Sequence, residues 1–157
     1  MNPRSLSAEL PTPEATGALA AKLAVSLVPG DVLLLDGDVG AGKTHFARHL
    51  IQAILTHPED VPSPTFTLVQ EYETTRGALW HSDLYRLSSV TEIEELGLTG
   101  AFDTAICLVE WPDRLGDLRP GNALELNLKP GAAEEHRKLT VTWTDPRWTD
   151  RVTPWLS

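Results

Sequence analysis

Three stretches predict an α/β fold for this chain. Residues 31–55 read as a buried strand, a glycine-rich turn and the start of a helix. Residues 78–83 and 106–110 are short strands that each end in a carboxylate, and Ile106-Cys107-Leu108-Val109 is the unbroken apolar run of a parallel strand buried on both faces. Ligands of open α/β sheets collect at the carboxyl ends of the strands, so Gly37, Asp83 and Glu110 are expected around one crevice. The length of 157 residues, 41% of them hydrophobic, fits one domain over residues 1–157 with a core of its own.

Taken in order, residues 10–13 make an extended entry. Thr12-Pro13-Glu14 then supplies an N-cap, a proline at the first helical position and an early acid. The helix that follows, to about residue 27, carries Leu19, Leu23 and Leu27 on one apolar stripe. Pro29-Gly30 turns into a strand over residues 31–36, and a second helix covers residues 42–55 with Phe46, Leu50 and Ile54 on one face. Two prolines in Val61-Pro62-Ser63-Pro64-Thr65 fix an extended loop. That loop is either a switch returning Ser63 and Thr65 toward the phosphates or a stiff connection into a strand over residues 67–72. Ser89 with Glu92 makes a capping box for a short helix stopped at Gly97. Pro120-Gly121-Asn122 turns into an alternating hairpin, with strands over residues 123–128 and 137–144. Trp143, Trp148 and Trp155 either cover sheet edges or form an exposed patch for a partner.

The chemistry is carried by Gly37-Asp38-Val39-Gly40-Ala41-Gly42-Lys43-Thr44. This segment meets the P-loop pattern G-x-x-x-x-G-K-[ST] at every fixed position, between a strand and a helix as the motif requires. Its glycines let backbone N–H groups turn inward around an anion, and the helix that starts near Gly42 adds its positive dipole end. Lys43 supplies a mobile charge for the β and γ phosphates, and the Thr44 hydroxyl is placed for Mg²⁺. Glu110 has the position of a Walker B carboxylate, and Asp83 is the second acid in reach. His81 reads as an ordinary strand histidine, because no second His or Cys stands near it at metal-ligand spacing.

Composition narrows the partners. A formal net charge of −9 disfavours direct binding to a nucleic-acid backbone, so any role in nucleic-acid metabolism is expected to run through a protein partner. The single cysteine, Cys107, excludes an intramolecular disulfide and reads as a small buried hydrophobe. Neither a signal-peptide core nor a membrane-length apolar run is present, which suggests the cytoplasm and no membrane partner. No N-K-x-D segment is present to read guanine, so ATP is expected over GTP; no LSGGQ signature and no arginine-rich lid occurs either.

Several segments together resemble the TsaE (YjeE) family. They are the P-loop, Ser63-Pro64-Thr65-Phe66-Thr67-Leu68-Val69, His81-Ser82-Asp83-Leu84-Tyr85-Arg86-Leu87, Glu95-Leu96-Gly97-Leu98 and Val109-Glu110-Trp111-Pro112, in consistent order from about Glu14 to Trp111. The resemblance implies a P-loop NTPase-like fold with a mainly parallel central sheet, flanking antiparallel strands and helices on both faces. It implies ATP hydrolysis, with ATP and Mg²⁺ as cofactors, in a complex with TsaD and TsaB that modifies tRNA with threonylcarbamoyladenosine. Carried over by motif, Lys43 would hold the phosphates, Thr44 and Glu110 the Mg²⁺, and Asp83 would assist hydrolysis. Ser63 and Thr65 would lie in a switch-like loop, and Trp111 would brace Glu110. Asp38, Val39, Gly40, Ala41, Gly42 and His45 would line the nucleotide, with the base between Pro13 and Ala15 and the tail near Arg137. His45 departs from the threonine common in the family, which affects only fine contacts to the α-phosphate. A free-standing small-molecule kinase is the alternative, and a nucleotide-binding switch without useful turnover is a third.

Overall fold

Apolar runs that are buried on both faces end up side by side at the centre of a sheet, and half-polar ones end up at its margins. The computed structural model describes residues 3–38 and 40–156. Its elements are β1 (Arg4–Leu10), α1 (Pro13–Ala24), β2 (Val32–Asp36), α2 (Lys43–Ile54), β3 (Val69–Thr74), β4 (Gly77–Asp83), α3 (Val90–Glu95), α4 (Leu98–Thr104), β5 (Ile106–Glu110), β6 (Leu124–Pro130), β7 (Arg137–Trp143) and α5 (Thr149–Leu156). Short 3₁₀ turns occupy Pro112–Leu118 and Pro146–Trp148. The fold is α/β with a seven-stranded mixed sheet in the order β1-β7-β6-β2-β5-β4-β3.

The four central strands, β6, β2, β5 and β4, are parallel to one another, and the outer pairings are antiparallel. The six pairings therefore divide evenly, so the expected parallel bias belongs to the centre alone. One face of the sheet, with Leu33, Leu35, Leu79, Leu108 and Leu126, packs under α1, α2 and α5. The other, with Val32, Leu34, Cys107 and Val109, packs under α3, α4 and the turn after β5. Parallel register sets Asp83 opposite Glu110 and Leu35 opposite Glu110 on its other side, so the ends of β2, β4 and β5 are level.

Several boundaries differ from the pattern reading for identifiable reasons. The third strand starts at Val69, two residues later than predicted, because Leu68 adopts φ +70 and its N–H bonds back to Pro64 O at 2.7 Å. The first helix ends at Ala24, and Leu27 is buried from the turn that follows. β1 carries only a weak alternation, Leu6, Ala8 and Leu10, of which Leu10 alone is buried, and the strand is held by its ladder to β7. The three tail tryptophans are buried in the main core and do not form an exposed patch. Each indole N–H finds an acceptor: Thr149 Oγ1 for Trp143, Asn122 O for Trp148 and Leu19 O for Trp155. The buried Asp31 carboxylate accepts from Arg151 Nη2 at 2.5 Å, tying α5 to the entrance of β2. Losing Arg151 would leave that buried charge with only Arg147 Nη1, at 3.6 Å, and the Val28 N–H to compensate it, a sizeable penalty.

Candidate functional site

β2 ends at Asp36, and the chain must reverse into α2 within six residues. Gly37 makes this possible: its φ is +144, and a Cβ there would lie 2.6 Å from Leu128 O on β6. Gly40 and Gly42 also have positive φ, with open space where a Cβ would point. Ala41 is buried below the turn and donates its N–H to Asp38 O at 3.0 Å. Asp38 is exposed, and Val39 lies outside the described residues. The turn opens onto the N-terminal end of α2, where backbone N–H groups and the positive dipole end favour an anion.

A hollow of about 430 Å³ sits above these strand ends. Gly40, Gly42, Lys43, Thr44, His45, Thr65, Asp83, Tyr85, Glu110 and Trp111 line it, so α2, the proline loop, β4 and β5 all reach one space. The Thr44 hydroxyl donates to Glu110 Oε1 at 2.9 Å. The other carboxylate oxygen, Oε2, is 2.7 Å from His81 Nε2, with both side chains almost wholly buried. Asp83 accepts from the Thr65 hydroxyl at 3.3 Å and from the Tyr85 N–H at 3.0 Å. Ser63 Oγ lies 2.7 Å from Thr65 Oγ1, so the loop hydroxyls form a chain that ends on Asp83.

Lys43 is the cation among these acids. Its ammonium donates to Gly37 O at 2.5 Å and lies 3.4 Å above the centre of the Trp111 ring. Burial holds it below the usual lysine range, while Glu110, Asp83, Asp36 and Asp113 pull in the opposite direction. Trp111 can take that place because its backbone is left-handed at φ +61, which turns the ring back over the crevice toward Tyr85, 4.7 Å away. Among the described residues Leu68 and Trp111 are the two non-glycine positions with positive φ. Leu68 O accepts from Asp83 N, and Trp111 follows Glu110 directly, so both unusual conformations abut the two carboxylates.

A second hollow, about 240 Å³, is lined by Pro13, Thr16, Gly42, His45, Glu135 and Arg137, and shares Gly42 and His45 with the first. His45 Nε2 donates to Pro13 O at 2.9 Å, fixing α1 against α2. The Arg137 guanidinium donates to the carbonyls of Gly40 and Ala41 at 3.3 and 3.2 Å, so the tail clasps the glycine-rich turn. Ala15 stands apart. It faces a different depression with Leu19 and Trp155, and Thr16 is the α1 residue on the wall of the second hollow.

Of the residues singled out by motif, Gly40, Gly42, Lys43, Thr44, His45, Thr65, Asp83, Glu110 and Trp111 line the first hollow and Pro13 and Arg137 the second, whereas Asp38, Ala41, Ser63 and Ala15 line neither and Val39 lies outside the described residues. Two participants were not legible: His81, passed over as a routine strand histidine, and Tyr85. Period two along β4 puts His81 on the same face as Asp83, but only the register with β5 brings it to Glu110, and Tyr85 lies beyond the strand's end. As for a cation, the hydroxyl and carboxylate oxygens of Thr44 and Glu110 are hard donors that suit Mg²⁺. Among the described residues no group of three His, Cys, Asp or Glu side chains could hold a metal ion. Such a sparse donor set matches an ion that takes one or two protein ligands and completes its shell from phosphates and water.

A family model described as "Threonylcarbamoyl adenosine biosynthesis protein TsaE" matches residues 10–139. The chain is 41% identical over 126 residues to a Rickettsia felis protein named tRNA threonylcarbamoyladenosine biosynthesis protein TsaE, covering 80% of this chain and 72% of that one. It is 39% identical over 137 residues to the Bacillus subtilis protein of the same name, covering 87% and 84%. The crystal structure of Bacillus subtilis YdiB superposes with a TM-score of 0.77 at 30% identity, over 99% of this chain and 96% of that one.

Proposed function

The chain belongs to the TsaE family, and from that premise we propose that it is a Mg²⁺-dependent P-loop ATPase. It serves threonylcarbamoyladenosine modification of tRNA in a complex with TsaD- and TsaB-type proteins, where hydrolysis supports repeated turnover. The observation that carries this reading is the convergence of Lys43, Thr44, Glu110 and Asp83 on one hollow at the N-terminal end of α2.

The phosphates of ATP fit the glycine-rich turn, whose open Gly40 and Gly42 leave room for close approach. Lys43 is the charge that meets them, already held in the crevice by Trp111. Thr44 and Glu110 would hold Mg²⁺, which supplies charge neutralisation on the transferring phosphoryl group when bound. Asp83 orients the attacking water or reports on it through Thr65, and the proline loop acts as the switch-like segment. The base fits the second hollow, between Pro13 and Arg137. With a net charge of −9, contact with tRNA is made through the partner proteins.

The test is ATP hydrolysis by the purified chain, alone and with TsaD- and TsaB-type partners and Mg²⁺. Weak hydrolysis that rises with the partners is expected. Phosphorylation of a small metabolite without partners would replace this reading with the free-standing kinase, and nucleotide binding with no turnover under any condition would leave only a switch.

A further inference from the structure

We propose that His81 is a positioning residue for Glu110, holding the carboxylate in the one orientation that presents its other oxygen to Thr44 and the glycine-rich turn. The geometry is independent of the ATPase reading, and the catalytic consequence rests on it.

The strand register makes the pairing. His81 lies opposite Leu108, and Asp83 opposite Glu110, so His81 sits one pleat deeper on the sheet face that carries both carboxylates. A strand fixes a glutamate's Cα but leaves its side-chain torsions free to turn the carboxylate away. Here each oxygen has its own donor: Thr44 Oγ1 on Oε1 at 2.9 Å, and His81 Nε2 on Oε2 at 2.7 Å. Thr44 belongs to the phosphate-binding unit, and its hydroxyl is the group expected to turn to a cation. His81 is the partner that stays in place when it does so.

The histidine is poorly explained as core. It is fully buried, and its Nδ1 has no hydrogen-bond partner among the described residues. A buried ring nitrogen without a partner is a net cost, and a leucine beside Leu79 and Leu108 would pack without it. Nor does the imidazole belong to an ion cage, since no cluster of three ligating side chains exists among the described residues. Among the described residues the imidazole's one hydrogen bond is to Glu110, and residues that orient a metal-binding carboxylate in this way affect activity without touching the ion.

Two variants and one spectrum test the proposal. His81→Leu should lower kcat for ATP hydrolysis in the partner complex about 10- to 100-fold, with KM for ATP moving by less than about threefold. His81→Gln, whose amide nitrogen reaches toward the same oxygen, should recover most of the loss. A parental kcat in His81→Leu overturns the proposal, as do equal losses in both variants accompanied by a matching rise in KM. The second readout needs no turnover: ¹⁵N spectra of the nucleotide-free chain, labelled at its five histidines, should show His81 protonated at Nε2 and bare at Nδ1. Glu110→Gln should shift that Nε2 signal selectively. An Nδ1-protonated ring, or a signal indifferent to Glu110→Gln, overturns the proposal even if ATP is hydrolysed. If the parent hydrolyses no ATP, the ATPase reading fails, and the spectra still decide whether His81 holds Glu110.

Discussion

The two carboxylates of the crevice end neighbouring parallel strands in register, yet they are held by different parts of the molecule. Glu110 is tied to the rigid side: one oxygen to α2 through Thr44, the other to β4 through His81, with only 2% of the residue exposed. Asp83 is tied to the loop side, to the Thr65 hydroxyl and to the N–H of Tyr85 in the turn that follows. The loop ends in an exposed Phe66, stacked near the Arg86 guanidinium at 5.4 Å. Equivalent topological positions therefore carry different mechanical duties. Glu110 is braced by α2 and β4, and Asp83 by the proline loop and the turn after β4.

The largest effect is expected at the cation both acids share. Lys43→Ala should abolish measurable ATP binding by calorimetry, since charge-assisted hydrogen bonds contribute about 1.5–3 kcal/mol each. Its melting temperature should stay near the parent's, because burial already disfavours this ammonium in the folded chain. Normal binding by a folded Lys43→Ala chain would detach the crevice from phosphate altogether. Next comes Glu110→Gln, which keeps the side chain's size and removes its charge. Hydrolysis should fall at least about a hundredfold while ATP still binds, the scale for losing one electrostatic stabiliser. Asp83→Asn should cost less, about tenfold, because the loop-side acid acts at one remove from the phosphates. If Asp83→Asn is the more damaging of the two, the duties are reversed.

The contrast also explains what could be read from the sequence. The rigid side is written in local patterns: the glycine spacing, the lysine and threonine that open α2, and the four apolar residues before Glu110, whose strand boundaries match the pattern residue for residue. These features depend on neighbours a few positions away. The loop side depends on conformations that no local pattern specifies, such as φ +70 at Leu68, which delays β3 and sets Leu68 O against Asp83 N. Likewise the clasp of Arg137 on the glycine-rich turn joins residues almost a hundred positions apart, and β1 is ordered by a ladder to β7 from the far end of the chain. His81 is a strand histidine, as the sequence pattern suggested, but its contact with Glu110 crosses to another strand and no local pattern shows it. A histidine without a neighbouring ligand looks idle until the register is known.

A smaller effect is expected from Thr65→Ala. It removes the hydroxyl that joins Ser63 to Asp83 but touches nothing on α2. ATP affinity should change by less than about threefold, as for one long, part-buried hydrogen bond, while stimulation of hydrolysis by the partner proteins should drop. Full stimulation in Thr65→Ala would reduce the proline loop to a connection and leave Asp83 with no loop-borne duty.

The smallest effect, and the sharpest contrast between the two sides, is expected from thiol labelling. Cys107 lies on the same strand as Glu110, fully buried, and burial pushes its thiol up to about 12. At neutral pH its thiolate fraction is then on the order of one in 10⁵, and the strand must open before a reagent can reach it. Ser63→Cys would place a second thiol on the exposed proline loop. The added thiol should react within minutes and be slowed by nucleotide in the partner complex, whereas Cys107 should react only in denaturant. Labelling of Cys107 at a comparable rate under native conditions would mean that β5 opens as readily as the loop. Glu110 would then be no more firmly held than Asp83, and the division of duties between them would lose its physical basis.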